Sequence, residues 1–568
     1  MIIKTKIEEH LEAIASGVTK LNRSDQGQND EICLGFLDGT AAGYKKAMRM
    51  WFRLQGCDDM TPHELTKAVD RWYTISRVPW DGGTEFAQPH ITAVSTGTKY
   101  GDNAGMVCVP STDTQANQDD YAGHPAFTVT DCNWVMDPDT KEPIITALDG
   151  ITTNFERTNP TKYVGVLQMG GYCYTQEGSD SYKIGWSTTY KPYATIEAPY
   201  NTRYRDGSFR PWTIHAKYMA SLTADNKLTC CAGVGPRAHV ISHNSLQTYS
   251  RNNGPAYSGG SATDRGWLQL MAFIKYGSMT LDGILNGCVD LYQDMPAQVS
   301  ESGVNRIIVS TSQGANIPVG CRLLVGERTA SAGERYQSGS YSISGPLGCT
   351  VTKTETVQID NASYTAIYLD CSPFDTVAAG NDDPGTTYAR TWHWACGSCD
   401  SVLGQDGSPV NCTDNKHPAK LQGIEYMVGG YEVYADTILK LYQDTDGYYY
   451  EPYIVKDRSL QQQNNPSDNY IATGLRIKQP DTANWYWISK QGYKHGIFWP
   501  VEIAGTSSTY TKDTIYLNAN ATGTRELLAF GHLYYWGSAG LSCVSGGNGA
   551  SYATWHFLGR LSPNGFRG

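Results

Sequence analysis

Residues 526–568, ELLAFGHLYYWGSAGLSCVSGGNGASYATWHFLGRLSPNGFRG, differ from everything that precedes them in the chain. Hydrophobic residues and glycines alternate here with His, Tyr, Ser, Cys, Asn and Thr. The glycines suit tight turns, because glycine adopts backbone conformations that other residues avoid. Arg560 presents five N–H donors and is suited to fix a loop. The segment therefore predicts a constant framework that carries a varied set of polar and aromatic side chains.

The framework is expected to consist of the hydrophobic residues, the turn glycines and one arginine of this segment. Its candidates are Leu527, Leu528, Phe530, Gly531, Gly537, Gly540, Leu541, Trp555, Leu558, Gly559, Arg560 and Leu561. The residues between them are those that a surface loop of ordinary composition would also favour. Composition alone therefore leaves an ordinary loop and a dedicated binding surface both open.

The segment resembles the C-terminal variable region of proteins diversified by retroelements, a family found in phages and some cellular genomes. The typical ending of that family is Gly-Gly-x-Trp-x-x-Gly, then Ala-Gly, then Gly-x-Arg. The matching stretches here are Phe530-Gly531, Gly537-Ser538-Ala539-Gly540-Leu541 and Leu558-Gly559-Arg560-Leu561. This chain departs from the pattern at His532 and Leu533, where Gly and Trp are usual.

Two stretches further upstream also resemble this family. They are Leu421-Gln422-Gly423-Ile424-Glu425 followed by Gly429-Gly430-Tyr431-Glu432, and Trp392-His393-Trp394 followed by Asp400-Ser401-Val402. The resemblance covers residues 388–568 and extends loosely to 206–295, as the first strand and helix of the same domain. It implies a C-type-lectin-like fold and assembly as a homotrimer.

The resemblance also implies which positions vary. Mutagenic copying in this family acts at template adenines. Asn codons are therefore replaced by codons for many other residue types, while the codons of the scaffold residues stay unchanged. The candidate ligand-binding positions within the variable region 530–558 are His532, Tyr534, Tyr535, Ser542, Cys543, Ser545, Gly546, Asn548, Ser551, Tyr552, Thr554 and His556. Tyr offers a large contact area with few rotors, and Ser, Gly and Asn adapt their hydrogen bonds, as in antibody loops.

The composition of the 568 residues indicates a large, loop-rich protein. It contains 59 Gly, 25 Pro and only 18% charged residues, which excludes a helical bundle or coiled coil. The 38 Tyr, 14 Trp and 40% hydrophobic residues exclude a disordered chain. We therefore predict a multi-domain, mainly β fold with some α (α+β), ending in the lectin-like domain and carrying an inserted β domain.

The chain divides into five segments that differ in composition and in the spacing of their hydrophobic residues. These are a helical N-terminal base or attachment region at 1–80, a β-rich domain at 81–205, the first part of the lectin-like domain at 206–299, an inserted β domain at 300–380, and the rest of the lectin-like domain at 381–568. Helices are expected over residues 7–18, after the Thr61 N-cap, and over 267–286. The alternation in 162–168, 171–175, 182–188, 210–218 and 306–310 predicts strands.

The net charge and the hydropathy of the chain limit the classes of partner that we expect. The net charge is −11 and no basic run occurs, so we expect no nucleic acid as partner. No stretch of 18 apolar residues occurs, so we expect no membrane insertion. The N-terminus carries acids where a signal peptide needs an apolar core, which predicts synthesis in a cytoplasm without secretory export. The 15 cysteines are expected to be mostly free thiols.

Motifs for catalysis and metal binding are sparse. The nucleophile elbow, the zinc-protease helix and the phosphate-binding loop are all missing from the sequence. Acid pairs such as 119–120, 382–383 and 444–446 lie among turn formers, where Asp is common. One cluster has metal-ligand chemistry, and its members are His393, Cys396, Cys399, Cys412 and His417. It contains a single C-x-x-C, so we assign no metal and leave zinc open.

The leading hypothesis is a virion receptor-binding protein. Assembled in a bacterial cytoplasm, it would sit at a phage tail tip, contact other tail proteins and bind a bacterial cell-surface protein or glycan, without enzymatic activity or a cofactor. The alternatives are a tail-associated glycan-degrading enzyme and a structural baseplate protein. The related sulfatase-activating oxidases use paired cysteines near the C-terminus, whereas this chain has only Cys543 beyond Cys412.

Overall fold

The structure is a computed structural model that describes residues 41–87, 96–328, 341–380, 383–535 and 538–564. It is 36% strand and 13% helix and contains several separate sheets, which confirms a mainly β protein with some α. The helix predicted over residues 7–18 lies outside the described residues. Among the described helices, none has the length and apolar character needed to cross a bilayer.

Two amphipathic helices form the start of the described chain. Helix α1 spans Ala41–Leu54 and helix α2 spans Pro62–Ile75. Thr61 caps α2 as predicted: its side chain accepts from the Glu64 N–H, and the Glu64 side chain accepts from the Thr61 N–H. The indole of Trp72 packs 5.7 Å from that of Trp51, so the apolar stripes of the two helices bury each other.

The next eight strands build two four-stranded antiparallel sheets. Strands β1–β8 span Asp81–Ala87, Thr98–Gly101, Thr130–Met136, Pro143–Leu148, Tyr163–Met169, Tyr172–Glu177, Ser181–Ser187 and Trp212–Ala216. The sheet orders are β2–β1–β7–β6 and β4–β3–β5–β8. The strands predicted from alternation in this part of the chain are confirmed. Because β8 pairs with β5, the second sheet extends past the boundary predicted at residue 205.

A buried helix connects these sheets to the C-terminal part. Helix α3 spans His243–Asn252, strand β9 spans Ser258–Gly259 and helix α4 spans Ala262–Tyr276. Every residue of α4 up to Lys275 is buried, and the helix packs against β1 and β7. Its predicted extension to residue 286 is wrong, because Gly277 takes a left-handed conformation (φ 61°) and caps the helix.

Residues 294–392 contribute a six-stranded sheet and a two-stranded ribbon. Strands β10–β17 span Asp294–Pro296, Glu301–Val304, Arg306–Ser310, Arg322–Glu327, Cys349–Ile359, Ala362–Leu369, Phe374–Thr376 and Thr387–Trp392, with a one-turn helix α5 at Thr311–Gly314. The sheet order is β10–β17–β13–β14–β15–β12, and β11 pairs with β16. The predicted strand at 306–310 is confirmed. The sheet includes β10 and β17, so it reaches beyond the insert boundaries predicted at 300 and 380.

The C-terminal part is dominated by one ten-stranded sheet. Strands β18–β30 span Ala419–Leu421, Ile424–Tyr426, Tyr431–Asp444, Gly447–Val455, Tyr470–Ala472, Ile477–Lys478, Asn484–Lys494, Ile497–Ile503, Thr514–Leu517, Gly523–Ala529, Val544–Ser545, Phe557–Leu558 and Leu561–Ser562. The order is β22–β21–β20–β27–β28–β26–β24–β25, with β23 on β21 and β29 on β20. Strands β18 and β19 form a hairpin, and β30 pairs with β9.

Arg560 ties these elements together from inside the core. Its Nε donates to Glu432 Oε1 at 2.7 Å and its Nη2 to Glu432 Oε2 at 2.9 Å. The other donors reach the carbonyls of Ala216 and Glu425, both at 3.0 Å. Burial alone would lower the pKa of Arg560, but the Glu432 carboxylate overcomes this effect and raises it. The predicted role of Arg560 as a fixing residue is therefore confirmed.

Replacing Arg560 tests this ion pair. We expect Arg560→Met to lower the free energy of unfolding by about 3–5 kcal/mol, because the Glu432 carboxylate would stay buried without a partner. Urea unfolding followed by tryptophan fluorescence measures the change. Arg560→Met combined with Glu432→Leu should recover most of the loss, since it removes both buried charges.

The exposed pair Arg476–Asp444, joined at 2.7 Å, supplies the matched control. Arg476→Met should change the free energy of unfolding by less than about 1 kcal/mol, because solvent screens this pair. Equal urea midpoints for Arg560→Met and the unaltered protein would contradict a structural role for the buried pair.

Candidate ligand-binding surface

The candidate segment begins with a sharp turn after β27. Phe530 has a φ of 75° and Gly531 one of 95°, both in the left-handed region. A Cβ on Gly531 would lie only 2.4 Å from the Cβ of Ala539, so this glycine is required by close packing as well as by conformation. The Phe530 N–H donates to the Cys543 carbonyl at 3.0 Å and closes the loop. Gly537, a predicted framework residue, lies outside the described residues.

Leu533 anchors the loop where the family usually has Trp. Its side chain is fully buried, and its N–H donates to the Gly429 carbonyl at 3.2 Å. Its own carbonyl accepts from the N–H groups of Leu291 and Tyr292, each at 3.0 Å. The next side chain, Tyr534, is consequently turned outward and is 59% exposed.

Five of the twelve candidate positions point into the protein. They are His532, Ser542, Cys543, Ser545 and Gly546. Ser542, Cys543, Ser545 and Gly546 lie in or beside β28, which pairs with both β27 and β26. His532 is instead packed against the rings of Tyr535 and His556. These five residues support the surface from below and do not form part of it.

Two of these buried positions are tightly packed. The Ser542 N–H donates to Asp513 Oδ2 at 2.7 Å, and its Oγ accepts from Gln269 Nε2 at 3.1 Å. A Cβ on Gly546 would lie 2.9 Å from the ring of Tyr450. Neither position has room for the large side chains that a diversified position must accept.

The other seven positions reach solvent. Ser551, Tyr534 and Tyr552 are exposed, and Tyr535, Asn548, Thr554 and His556 are partly exposed. Tyr552 is 52% exposed. The structure therefore places seven of the predicted residues on the surface, with three tyrosines among them.

A continuous series of ring contacts connects the two exposed tyrosines. The ring centroids of Tyr534 and His532 are 6.4 Å apart, and those of His532 and His556 are 4.4 Å apart. The series continues from His556 to Phe557 at 4.9 Å and from Phe557 to Tyr552 at 5.8 Å. Tyr534 and Tyr552 thus stand at opposite ends of one packed aromatic array.

Three histidines within and beneath this array are held neutral. Burial lowers the pKa of His556 to about 3 and that of His393 to about 4, and it lowers the pKa of His532 well below its usual value. The Nδ1 atom of each is buried without a hydrogen-bond partner in the described chain. Neutral imidazoles can pack in this way without the cost of burying a charge.

Two further aromatic residues complete the surface. Tyr292 lies 5.0 Å from Tyr534, and Trp485 lies 5.0 Å from Tyr535, between ring centroids. Trp485 lies in β24 and pairs with Tyr516 of β26, the strand next to β28. Tyr292 was not predicted, because it belongs to a distant loop that only the hydrogen bonds to Leu533 bring here.

The metal-like cluster is not assembled. His393 Nε2 donates to the Trp555 carbonyl at 2.8 Å, and the Cys396 thiol donates to the Met219 carbonyl at 3.1 Å. The Cys412 thiol donates to the Ser111 carbonyl, and His417 contacts Asp414. Within the described residues, no group of three or more His, Cys, Asp or Glu is arranged to hold a metal ion.

The acid pairs serve local structure where they are described. Asp119 Oδ1 accepts from the N–H groups of Tyr121 and Ala122, as turn aspartates do. Asp444 pairs with Arg476, and Asp446 accepts from the Tyr449 hydroxyl at 2.7 Å. Residue 382 lies outside the described part of the chain.

A pair of serines tests the division into buried and exposed positions. Ser542→Tyr should lower the free energy of unfolding by about 1–3 kcal/mol or more, because the ring must be forced into the buried space beside Gln269 and Asp513. Ser551→Tyr, the same change at an exposed position, should stay within about 0.5 kcal/mol. Thermal or urea unfolding of the two variants measures the difference. Equal tolerance at both positions would show that the 542 region is not packed as described.

The neutral histidines predict acid sensitivity. A histidine with a pKa of about 3 when folded and about 6.5 when unfolded binds fewer protons in the folded state. Its contribution to stability is therefore present above pH ~6.5 and is lost as the pH falls. For His556 the loss reaches up to about 2 kcal/mol at pH ~5.

Unfolding free energies measured across this pH range check the effect. His556→Phe should flatten the pH dependence, because it removes the imidazole that gains a proton on unfolding. A pH profile that His556→Phe does not alter would contradict a neutral His556 in the folded protein.

No protein-family model matches the sequence, and no curated protein matches it. The function is therefore argued from the residues and contacts of the chain itself.

Proposed function

We propose that this protein is a phage tail receptor-binding protein whose C-terminal surface binds a protein or glycan on the bacterial cell surface. The observation that carries the proposal is the aromatic array, which joins the exposed rings of Tyr534 and Tyr552 through the packed rings of His532, His556 and Phe557. Exposed aromatic side chains held by packing are the typical anchors of binding surfaces.

The array suits recognition because its side chains are already ordered. Tyr534 packs on Tyr292, and Tyr535 packs on Trp485, so binding would freeze few rotors. Ser551, Asn548 and Thr554 lie on the same segment and offer adaptable hydrogen bonds. Adhesion requires only such contacts, and no bond needs to be made or broken.

The same proposal includes the C-type-lectin-like fold and retroelement diversification. The pairing of β30 with β9 supports a single domain built from residues 206–295 and 381–568, because it joins the chain end to the early segment. Diversification would act at the seven solvent-facing positions, whereas the five buried ones would belong to the scaffold. A homotrimer at a phage tail tip would multiply weak single-site binding through effective concentration.

Cell binding tests the proposal. Purified, labelled protein should bind saturably to the cells of at least one strain in a panel of diverse bacterial strains. Tyr534→Ala combined with Tyr552→Ala should weaken this binding at least about tenfold, because the variant loses both aromatic anchors. Tyr190→Ala is the matched control, since Tyr190 is 66% exposed but lies among the N-terminal sheets.

Three other outcomes would contradict the proposal. Equal losses of cell binding in Tyr190→Ala and in the double variant would show that the aromatic array is not the binding site. Absence of saturable binding to any cell type would favour a structural baseplate role. Release of reducing sugar from the cell envelopes by the purified protein would favour a glycan-degrading enzyme.

A further inference from the structure

A second candidate site lies in a cavity of about 570 Å³ that none of the twelve C-terminal positions lines. Its walls come from α1, from β3, from the loop after β4 and from the segment that contains residues 400–423. Its volume falls in the range of small-molecule sites, roughly 300–1,000 Å³. Charged side chains rather than aromatic rings dominate its lining, which indicates a polar ligand.

A network of ion pairs forms one wall of this cavity. Lys217 Nζ lies 2.7 Å from Asp131 Oδ2 and 3.4 Å from Asp400 Oδ1. Arg157 Nη1 lies 2.6 Å from Asp131 Oδ2, and its Nη2 lies 2.7 Å from Asp149 Oδ2. Burial alone would raise the pKa of Asp131, but Lys217 and Arg157 overcome this effect and lower it. The charges of this network therefore largely balance one another.

Lys420 is different because no carboxylate of the described residues lies within ion-pair distance of it. Its ammonium group is buried and donates to the Val402 carbonyl at 2.9 Å, and within the described chain it forms no ion pair. Burial and the nearby Lys217 lower its pKa. A buried ammonium with only a carbonyl partner is a place where an anion would be stabilising.

Two exposed cations extend this positive character to the outer part of the cavity. Lys45 and Arg49 are four residues apart on α1, so they share a face of the helix, and both line the cavity. Neither pairs with a carboxylate among the described residues. Across the whole lining, five cationic side chains face three carboxylates.

We infer that this cavity binds a small hydroxylated anion, a sugar-sized molecule that carries a carboxylate or phosphate group. The anionic group would contact Lys420 and Arg49, which lack carboxylate partners. The carboxylate of Asp149, whose side chain is 46% exposed, would accept from ligand hydroxyls. This inference is independent of the C-terminal surface and holds whether or not that surface binds a receptor.

Calorimetric titration of the full chain at low ionic strength tests the inference. The probes are D-glucuronate and D-glucose 6-phosphate, which separate a carboxylate from a phosphate source, with D-glucose, acetate and inorganic phosphate as controls. At least one of the two acidic sugars should bind saturably. D-glucose, acetate and inorganic phosphate should each bind at least tenfold more weakly, because each lacks either the charge or the hydroxyls.

Variants connect the binding to the cavity. Lys420→Met, which keeps the volume but removes the charge, and Arg49→Ala should each weaken binding at least fivefold. Arg53→Ala is the matched control, because Arg53 is exposed on the same helix but does not line the cavity. Arg49 is exposed, so its variant keeps the test valid even if Lys420→Met fails to fold.

The inference would be overturned if neither acidic sugar bound at millimolar concentration. It would also be overturned if acetate or inorganic phosphate bound as tightly as the sugars, or if Arg49→Ala and Arg53→Ala bound alike. Loss of cell binding in the Tyr534 and Tyr552 variant bears only on the C-terminal surface, so the two proposals can fail separately.

Discussion

The C-terminal surface depends on one buried contact, the bidentate ion pair between Arg560 and Glu432. Arg560 follows β29, the strand that carries the end of the candidate segment, and Glu432 lies in β20, at the centre of the large sheet. The remaining Arg560 donors reach carbonyls of Ala216 and Glu425. Since a buried guanidinium must have all of these partners, its position fixes three distant parts of the chain relative to one another.

Strand pairing then decides which residues of the candidate segment can meet a ligand. The insertion of β28 between β27 and β26 buries Ser545 and its neighbours, and the turn at Gly531 directs Leu533 inward and Tyr534 outward. Residue type alone cannot separate these groups, because serines occur both at the fully buried position 542 and at the exposed position 551. Strand pairing and turn geometry, rather than residue type, therefore determine which side chains form the surface.

Local signals in the sequence predicted much of the fold. The capping box at Thr61 and the alternation over residues 306–310 depend on neighbours in the chain, and both appear in the structure as expected. Gly277 was a usable stop signal for α4, since glycine is the commonest left-handed helix cap. Ignoring it lengthened the predicted helix by ten residues.

Long-range pairing was not predictable in the same way. Strand β17 joins the sheet of residues 294–392 only through its contacts with β13 and β10, and nothing in its own sequence indicates these partners. The same holds for Tyr292 in the candidate surface, which hydrogen bonds to Leu533 bring into place. The cavity could not be predicted from local sequence signals. Its lining residues Arg49, Asp131, Lys217 and Lys420 are separated by many tens of residues in the chain.

The two candidate sites hold their ionisable side chains in opposite states, neutral in one site and charged in the other. Within and beneath the aromatic surface, His393, His532 and His556 stay neutral, so rings can stack without opposing carboxylates. In the cavity, Lys217 and Arg157 stay charged because Asp131 lies within ion-pair distance of both. A neutral, ring-lined surface favours large contacts that tolerate varied partners, whereas a charged cavity favours one small ligand of matching charge. The chemistry of the buried groups thus differs between the two sites, because neutral rings support the C-terminal surface and paired charges line the cavity.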